Sequence, residues 1–582
     1  MNVTTVVADI NIVQAALSVL GTLQLTAFLW PQQAQVQDGA CFDFIIVGAG
    51  AAGSVIANRL TELENVSVLL IEAGGDPPTE SVVPGLLIYM KNSSVDWNYL
   101  SEDDGYSYQY HKGQRAEITR GKMLGGTSSI NYMAYTRGNY HDFDTWAEIT
   151  GDEGWNWDNV LPYFIKSENY VDPILLSTPD SYFHGTDGYL GVTRYYNEEA
   201  IDYFKAFAEK GDRTVLDING ATPLGYTEIM FNIKDRVRQS TAQAFLNPIK
   251  DRPNLFVLKN TLVSKILFDE NKNAIGVEAI LENGKIVQYG AHKEVIVSGG
   301  AINTPQILML SGIGPESHLK SKQIEVISDL PVGQTLQDHV GVTLVHAMGP
   351  LTPPPPADPG TFPTPLLVGF TALNQSQGYA DYQTLSFILN DPTPLPQFCS
   401  FFFHYYDEIC QQLSDETAGR EHFFSVLYVM SPESRGKILL KSKDPKEYPL
   451  IYTGYYSDDG DLNKHVEYIK DFAQVQLSKF FRSVNAELIV PTFCGCGEND
   501  GSDEFWKCYA YCMMVQGYHF AGSCSMGAVV DSRLNVFGVQ RLRVADASVM
   551  PKITRANTNT ATIMIGERVA DMIKEDHFWL YK

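Results

Sequence analysis

The feature that most constrains this 582-residue chain is a glycine-rich turn within Phe42 to Leu60, FDFIIVGAGAAGSVIANRL. It opens with the β-branched, apolar run Ile45-Ile46-Val47, which predicts a buried parallel strand. Gly48, Gly50 and Gly53 then follow in G-x-G-x-x-G spacing. Such glycines let the chain turn tightly and let its backbone approach a pyrophosphate at the N-terminus of the next helix.

The following residues complete a β-α-β unit. We predict a helix over 54–63 and a second buried strand over 66–71, which ends at Glu72, 24 residues after Gly48. An acidic side chain at that place binds ribose hydroxyls and disfavours the 2′-phosphate of NADP. A glycine turn alone is weak evidence, but the complete unit predicts dinucleotide binding. It does not separate NAD from FAD.

Charge limits the kinds of molecule that the chain can bind, and length indicates how many lobes it forms. The chain has 43 Lys and Arg against 68 Asp and Glu, a net charge of −25, which argues against nucleic acid and anionic membranes. After residue 30, no stretch is long and apolar enough to span a membrane, so we expect no stable membrane association. A chain of this length suggests two or more lobes.

The N-terminal segment and the cysteines both bear on localisation. Residues 10–30 are mostly apolar and precede the first predicted strand, which favours a secretory signal, whereas the absence of Lys and Arg from the first 40 residues favours an amphipathic helix instead. Six of the eight cysteines lie in two groups: Cys399, Cys410, Cys494, Cys496, Cys508 and Cys512. Disulfides there would agree with an oxidising compartment, and we expect a secreted protein. No C-x-x-C pair with partner ligands occurs, so we predict no metal site.

Glycosylation sequons occur at Asn92 and Asn374. They would carry glycans if the protein is secreted, although sequons this short also occur by chance. Two further regions have weak patterns. Residues 170–235 are predicted to be irregular, and the acidic residues Asp458 to Asp461 are interpreted as a solvated face.

Three other stretches carry polar groups suited to a reaction centre. RGKMLGGTSSINYMAYTRGN, Arg120 to Asn139, is rich in glycine, small hydroxyl residues and adjacent basic groups. Arg120 and Lys122 could neutralise phosphate there, or the stretch could be a plain loop-to-helix junction. GYHFAGSCSMG contains His519, and TRANTNTATIMIGER contains Asn557 and Asn559. From spacing alone, a histidine is more often structural than a catalytic base.

These stretches together identify a family. RGKMLGGTSSIN, GGAINTPQILMLSGIGP, LPVGQTLQDHV, YHFAGSCSMG, VADASVMP and NTNTATIMI resemble, in the same order, the motifs of glucose–methanol–choline (GMC) oxidoreductases. The resemblance runs from about residue 42 to residue 573. It implies FAD as the cofactor. It also implies an α/β fold, with a Rossmann-like FAD-binding domain and a second, α+β substrate-binding domain whose mixed sheet is flanked by helices.

The resemblance also implies roles for individual residues. His519 and Asn557 match the catalytic pair: His519 would take the hydroxyl proton of an alcohol, Asn557 would orient its oxygen, and flavin N5 would accept the hydride. The implied cofactor-binding residues are Gly48, Gly50, Ala51, Ala52, Gly53, Glu72, Ala73, Arg120, Gly125, Gly126, Asn131, Val263, Asp546, Ala547, Asn557 and Asn559.

Several positions depart from the family pattern. Some members bind flavin covalently through a histidine just before the asparagine of the first signature, where this chain has Ile130, so we expect non-covalent FAD. Phe520 replaces a proline, Ser523 a threonine and Thr335 an asparagine, and Arg555-Ala556 replaces a Ser-Gly pair. These departures bear on the shape of the substrate pocket rather than on the cofactor.

The middle of the chain suggests the substrate. Residues 369–375, the aromatic run 401–406 and Cys410 resemble the ecdysone oxidase and glucose dehydrogenase-like branch of the family. A hydroxysteroid alcohol is therefore predicted, with O2 or another oxidant as electron acceptor. Sugar oxidation, an inactive secreted family member and an NAD-dependent dehydrogenase are the alternatives, and the aromatic residues could simply be core.

The predicted division of the chain has four parts. Residues 1–40 form a hydrophobic targeting segment, 41–340 the FAD-binding domain, 341–515 the substrate-binding domain, and 516–582 a return to the FAD-binding domain that carries the catalytic histidine and asparagine.

Overall fold

The computed structural model describes residues 29–352, 358–390 and 394–578. Residues 1–28 of the predicted targeting segment lie outside the described residues. Among the described residues, no helix combines the length and the apolar character needed to cross a bilayer.

Two seven-stranded sheets organise the described chain. In the first sheet, the strand Cys41–Val47 lies between Val68–Ile71 and Ile286–Val297 and is parallel to both. The remaining strands of this sheet are Leu255–Leu258, Leu262–Phe268, Ala274–Ile280 and Leu542–Val544. The predicted buried strands of the β-α-β unit therefore lie at the centre of this sheet, with the glycine turn at their carboxyl ends.

The second sheet is antiparallel throughout. Its strands are Glu487–Ile489, Val340–Pro350, Arg420–Val429, Tyr382–Leu389, Leu366–Thr371 and Gly225–Glu228 in spatial order, with Met514–Gln516 also pairing to Val340–Pro350. The mixed sheet expected from the resemblance is thus a purely antiparallel one. Its central strands Tyr382–Leu389 and Arg420–Val429 are almost completely buried.

Helices and small sheets fill the remaining space. The longer helices are Ala51–Leu60, Tyr140–Thr150, Trp157–Ser167, Ala200–Lys210, Gly300–Leu310, Asp407–Glu416, Asp459–Ala473, Asp503–Cys512 and Thr558–Phe578. The short helices are Thr79–Val82, Pro173–Leu176, Glu316–Ser321, Pro394–Pro396 and Lys479–Ser483. The small sheets pair Tyr99–Leu100 with Glu117–Ile118, Ile233–Lys234 with Val237–Arg238, Lys437–Leu439 with Leu450–Tyr452, and Leu190–Arg194 with both Glu168–Tyr170 and Met230–Phe231.

One local prediction is wrong and another holds only in part. Residues 170–235, predicted to be irregular, contain the helix Ala200–Lys210 and several strands. Asp458 and Asp459 are exposed as predicted, whereas Asp461 is fully buried and its carboxylate accepts hydrogen bonds from the backbone N–H groups of Glu433 and Ser434. Burial of this polar side chain is tolerated because those donors replace water.

The C-terminal helix Thr558–Phe578 packs against the first helix, Ala51–Leu60. Gly566 permits this close approach, since a Cβ there would lie 3.0 Å from the carbonyl oxygen of Ala52. The buried guanidinium of Arg59 forms a two-pronged ion pair with Glu567, with both distances 2.8 Å. Removal of one partner would leave a buried charge, at a cost of about 3–5 kcal/mol.

Three disulfides join Cys399 to Cys410, Cys494 to Cys512 and Cys496 to Cys508. All six cysteines belong to the two groups singled out in the sequence. Over the described ranges, no group of three or more His, Cys, Asp or Glu side chains is arranged to hold a metal ion.

Candidate active site

One long cavity runs from the glycine turn of the first sheet to the face of the second sheet. Most of the predicted site residues line it: Gly48, Gly50, Ala51, Ala52, Glu72, Ala73, Arg120, Gly126, Asn131, Val263, His519, Asp546, Ala547, Asn557 and Asn559. Gly53 and Gly125 are not among its lining residues. They lie behind the residues that line the cavity, where neighbouring atoms leave no room for a side chain.

The glycine turn forms one end of the cavity. Gly48 has a φ of +98°, and a Cβ there would lie 2.4 Å from the carbonyl oxygen of Ser298. A Cβ on Gly53 would lie 2.0 Å from the carbonyl oxygen of Gly48. The helix that starts at Ala51 has Gly50 as its N-cap, without a capping side chain. Its first N–H groups have no partner within the helix, and they and the helix dipole favour an anion at this end.

Glu72 lies beside this turn and is buried. Its two carboxylate oxygens accept hydrogen bonds from the backbone N–H groups of Ala49 and Gly74, each at 2.9 Å. Burial raises the pKa of Glu72, and those two N–H donors oppose the shift. Each oxygen keeps a further lone pair, so the carboxylate can still accept bonds from the hydroxyls of a ribose.

Asp546 lines the cavity and joins two of the segments that form it. One carboxylate oxygen accepts from the Gly300 N–H at 2.8 Å and from the Thr304 hydroxyl at 2.6 Å. The other accepts from the Ser548 N–H at 2.8 Å. Burial raises the pKa of Asp546. The carboxylate thus holds the segment around Ala547 against the start of the helix Gly300–Leu310.

His519 and Asn557 meet at the centre of the cavity, although 38 residues separate them. The Asn557 side-chain nitrogen lies 2.8 Å from His519 Nε2, and His519 Nδ1 lies 2.9 Å from Nδ1 of His339. The pKa of His519 is well below 6.5, because burial, then His339 and Arg120, disfavour the imidazolium. The imidazole is therefore neutral at physiological pH and can accept a proton.

Arg120 lies on the His519 side of the cavity. Its guanidinium donates to the carbonyl oxygen of Tyr518 and lies 4.9 Å from the centre of the Phe520 ring. Burial lowers the pKa of Arg120. Its contacts within the protein are thus with the segment that carries His519, and the contact with phosphate stays a prediction.

The far end of the cavity is apolar. Its lining side chains include Leu87, Tyr132, Leu366, Leu385, Phe387, Phe402, Phe403, Val426 and Tyr428. The buried ammonium of Lys91 also lies there, but it donates to the carbonyl oxygens of Phe401 and Phe402 and pairs with Glu117 at 2.8 Å. A ligand at this end therefore meets mostly hydrocarbon and aromatic surface.

Comparison with known proteins places this geometry in a family. The family models described as GMC oxidoreductase match residues 42–341 and 432–566. The chain belongs to the GMC oxidoreductase family. It is 39% identical to an ecdysone oxidase of Bombyx mori, over 94% of this chain and 84% of that protein. It is 35% identical to a glucose dehydrogenase [FAD, quinone] of Drosophila pseudoobscura pseudoobscura, over 92% of this chain and 87% of that protein.

The fold agrees with this assignment. The structure of a variant of the formate oxidase of Aspergillus oryzae superposes with a TM-score of 0.81 at 27% identity, covering 94% of this chain and all of that chain. As a GMC oxidoreductase, the protein is an FAD-dependent enzyme that oxidises alcohols. Membership of this family therefore identifies the cofactor as FAD rather than NAD.

The cavity fits FAD on the geometry described above. The glycine turn and the free N–H groups at Ala51 suit the pyrophosphate, and Glu72 suits the adenosine ribose. Gly126 has a φ of +52° and contacts Gly50 so closely that a Cβ would lie 2.8 Å from its Cα. Ile130, at the position of the tethering histidine in covalent members, lines the cavity and offers no nucleophile.

The departures from the family pattern have separate locations. Phe520 lines the cavity, whereas Thr335, Ser523 and Arg555 do not. Thr335 and Ser523 donate to the carbonyl oxygens of Gly522 and Ala301, each at 2.6 Å. Of these positions, Phe520 is therefore the one that changes the shape of the pocket.

The sequence interpretation missed three residues around the reactive pair. His339 lies in the motif LPVGQTLQDHV and contacts His519. Its place in that motif was the sequence feature that pointed to a functional position. Thr136 lies within the glycine-rich stretch 120–139 and Gln383 on the strand Tyr382–Leu389, but neither local pattern singles out the residue that contacts Asn557. They lie 421 and 174 residues from Asn557 along the chain.

Proposed function

We propose that this GMC oxidoreductase oxidises a hydroxyl group on a lipophilic ring system, with a hydroxysteroid of the ecdysteroid class as substrate. The observation that carries the proposal is the apolar far end of the cavity. The cationic group at that end, Lys91, is already bound by two carbonyl groups and a carboxylate. The similarity to ecdysone oxidases at 36–39% identity supports the same class.

The chemistry follows from the neutral imidazole of His519. The hydroxyl proton of the alcohol moves to His519 Nε2, and the oxygen accepts a hydrogen bond from the side-chain amide of Asn557. FAD, when bound, supplies the hydride acceptor. Loss of the hydroxyl proton makes the carbinol carbon a better hydride donor, so the two transfers reinforce each other.

Glucose is a poorer match for this cavity. A sugar carries a hydroxyl on almost every carbon, and each hydroxyl that leaves water needs a new hydrogen-bond partner. Leucine, phenylalanine and valine side chains cannot supply these partners. A steroid instead buries a large apolar body, at about 25 cal/mol per Å² of apolar surface.

The experiment is anaerobic flavin reduction in FAD-loaded protein, with ecdysone and glucose compared by the loss of flavin absorbance. We expect ecdysone to reduce the flavin with the higher second-order rate constant. Faster reduction by glucose would assign the chain to sugar oxidation. No bleaching by ecdysteroids, sugars or aromatic alcohols would indicate an inactive family member.

A substitution in the apolar lining of the cavity tests the substrate class more directly. Leu385 lines the cavity, and Leu385→Asn replaces hydrocarbon by an amide of similar size. It should raise the KM for ecdysone roughly 10-fold, as expected for lost apolar burial, and change reduction by a small primary alcohol far less. Leu367, on the neighbouring strand but outside the lining, provides the matched control Leu367→Asn for general damage to the sheet.

We further propose that the protein is secreted and that residues 1–40 contain a targeting segment. The three disulfides support an oxidising compartment. Expression in insect cells, with N-terminal sequencing of protein from the medium, tests this. Protein retained inside the cells with an intact N-terminus would contradict the proposal.

A further inference from the structure

The side-chain oxygen of Asn557 accepts hydrogen bonds from two side chains that lie far apart in the sequence. The Thr136 hydroxyl donates to Asn557 Oδ1 at 2.9 Å, and the Gln383 amide nitrogen lies 3.3 Å from the same oxygen. The backbone N–H of Asn557 donates to Thr136 Oγ1 at 3.0 Å. Because that N–H occupies a lone pair of the hydroxyl, the single proton of Thr136 is free to point at Oδ1.

We propose that Thr136 and Gln383 are positioning residues that fix the orientation of the Asn557 amide and, through it, the tautomer of His519. This inference rests on the function proposed for His519 and Asn557. Neither Thr136 nor Gln383 lines the cavity, so neither touches substrate or flavin. Both act through Asn557.

The orientation has a direct consequence for His519. With Oδ1 bound by two donors, the Asn557 NH2 group faces His519 Nε2 at 2.8 Å and donates to its lone pair. The ring proton of neutral His519 is then on Nδ1, from which it donates to His339 Nδ1 at 2.9 Å. His339 accepts this bond as a neutral ring, because burial lowers its pKa to about 3. The unprotonated nitrogen of His519 is therefore Nε2, and it can take a proton once an alcohol in the cavity displaces the amide hydrogen from its lone pair.

A flipped amide would reverse this arrangement. The NH2 group would meet the NH2 group of Gln383, and the oxygen would face His519 Nε2. An acceptor at that place favours a protonated Nε2, which cannot take the proton of an alcohol. The two orientations of the Asn557 amide differ little in shape. Hydrogen bonds from Thr136 and Gln383 make one of them much the more stable.

The burial of Gln383 supports a role for its amide. Gln383 lies on the central strand Tyr382–Leu389, between residues 370 and 428, and is fully buried. Its Oε1 has no partner within the described ranges, so the contact with Asn557 is the one that its amide nitrogen makes. A buried amide with one unsatisfied atom destabilises the folded protein relative to a fully hydrogen-bonded one. An apolar side chain of the same length would avoid that cost.

The position of Thr136 is equally fixed. The N–H of Tyr135 donates to the carbonyl oxygen of Met230 at 2.8 Å, and the N–H of Arg137 donates to Asn219 Oδ1 at 3.0 Å. Arg137 is itself buried and paired with Glu168 at 2.5 Å. The hydroxyl of Thr136 therefore projects from a backbone that is held on both sides.

The test uses four variants of the FAD-loaded enzyme with ecdysone as the probe. Thr136→Val and Gln383→Met remove a donor with little change in volume, Gln383→Glu replaces a donor by an acceptor, and Thr136→Ser keeps the hydroxyl. We expect the first three to slow flavin reduction at saturating ecdysone by roughly 10- to 100-fold, as for a misplaced catalytic group. Thr136→Ser should retain the wild-type rate. FAD content should be unchanged in all four.

The pH profile separates positioning from general damage. When the amide is free to flip, the oxygen of Asn557 stabilises the imidazolium, so the acid limb of the flavin-reduction rate should move to higher pH. The comparison uses Thr136→Val and Gln383→Met, because Gln383→Glu adds a carboxylate near His519. The other titratable groups that face His519, namely His339, Arg120, Asp338 and Tyr428, are unchanged in both. A loss of packing alone would lower the rate without moving this limb.

The two possible failures are distinguishable. If His519→Ala reduces flavin as fast as the wild type, the proposed function fails. If His519→Ala is slow while Thr136→Val and Gln383→Met keep the wild-type rate and pH profile, only the positioning proposal is overturned. Should one of these variants fail to hold FAD, the other decides, because the loss of either donor predicts the same shift.

Discussion

Replacement of His519 by alanine should slow flavin reduction by roughly 10²- to 10⁴-fold, the range for a lost general base. This corresponds to about 2.7–5.4 kcal/mol of activation free energy, at 1.36 kcal/mol per factor of ten. The full effect applies at neutral pH, because burial keeps the pKa of His519 well below 6.5 and the wild-type imidazole is therefore entirely in its basic form.

The assay is single-turnover reduction by ecdysone under anaerobic conditions, normalised to FAD content. Because the substitution leaves space for a free base beside Asn557, added imidazole should restore part of the lost rate. His346→Leu is a matched control, since His346 is also a fully buried histidine but does not line the cavity. A His519→Ala rate within about tenfold of the wild type, with normal FAD content, would refute the assignment of the base.

Four further outcomes are expected. Asn557→Ala should slow reduction less than His519→Ala, because it removes one hydrogen bond, and Asn559→Ala should be milder still; single-turnover rates rank the three. The wild-type rate should be constant at and above pH 6.5 and fall only well below it, since protonation of His519, whose pKa is lowered by burial, removes the base; a pH series measures this. Acid precipitation should release flavin into the supernatant, because Ile130 cannot form a covalent bond to it, and a yellow pellet would show otherwise. Protein secreted from insect cells should lose mass on glycosidase treatment, and Asn374→Gln should remove part of that loss, since Asn374 is exposed.

The sequence predicted those features of the fold that depend on neighbours along the chain. The glycine turn after Val47 depends only on local backbone geometry, and the strand Val68–Ile71 lies within the range 66–71 that its apolar run predicts. The pattern failed where a tertiary contact overrides composition. Asp461 reads as solvated because it follows other acidic residues, but two backbone N–H groups from residues 433 and 434 hold it in the interior.

The candidate site divides in the same way. His519 and Asn557 lie in motifs of the family, and the structure brings them within 2.8 Å of each other. The donors that orient Asn557 come from an extended segment at Thr136 and from the second sheet at Gln383. Neither residue type is unusual in its local context. Contacts of that kind depend on how the two sheets are placed relative to each other. This placement cannot be predicted from the local patterns of a single sequence.

The first sheet and its helices join both ends of the described chain, and this has a consequence for biosynthesis. The strand Leu542–Val544 completes the sheet beside Ile286–Val297, and the helix that follows covers the helix of the glycine turn. During translation, the flavin site therefore stays open until residues 542–578 have left the ribosome. Cofactor capture must wait for these residues, and a premature stop codon that removes the helix Thr558–Phe578 should yield a protein that lacks flavin as well as activity.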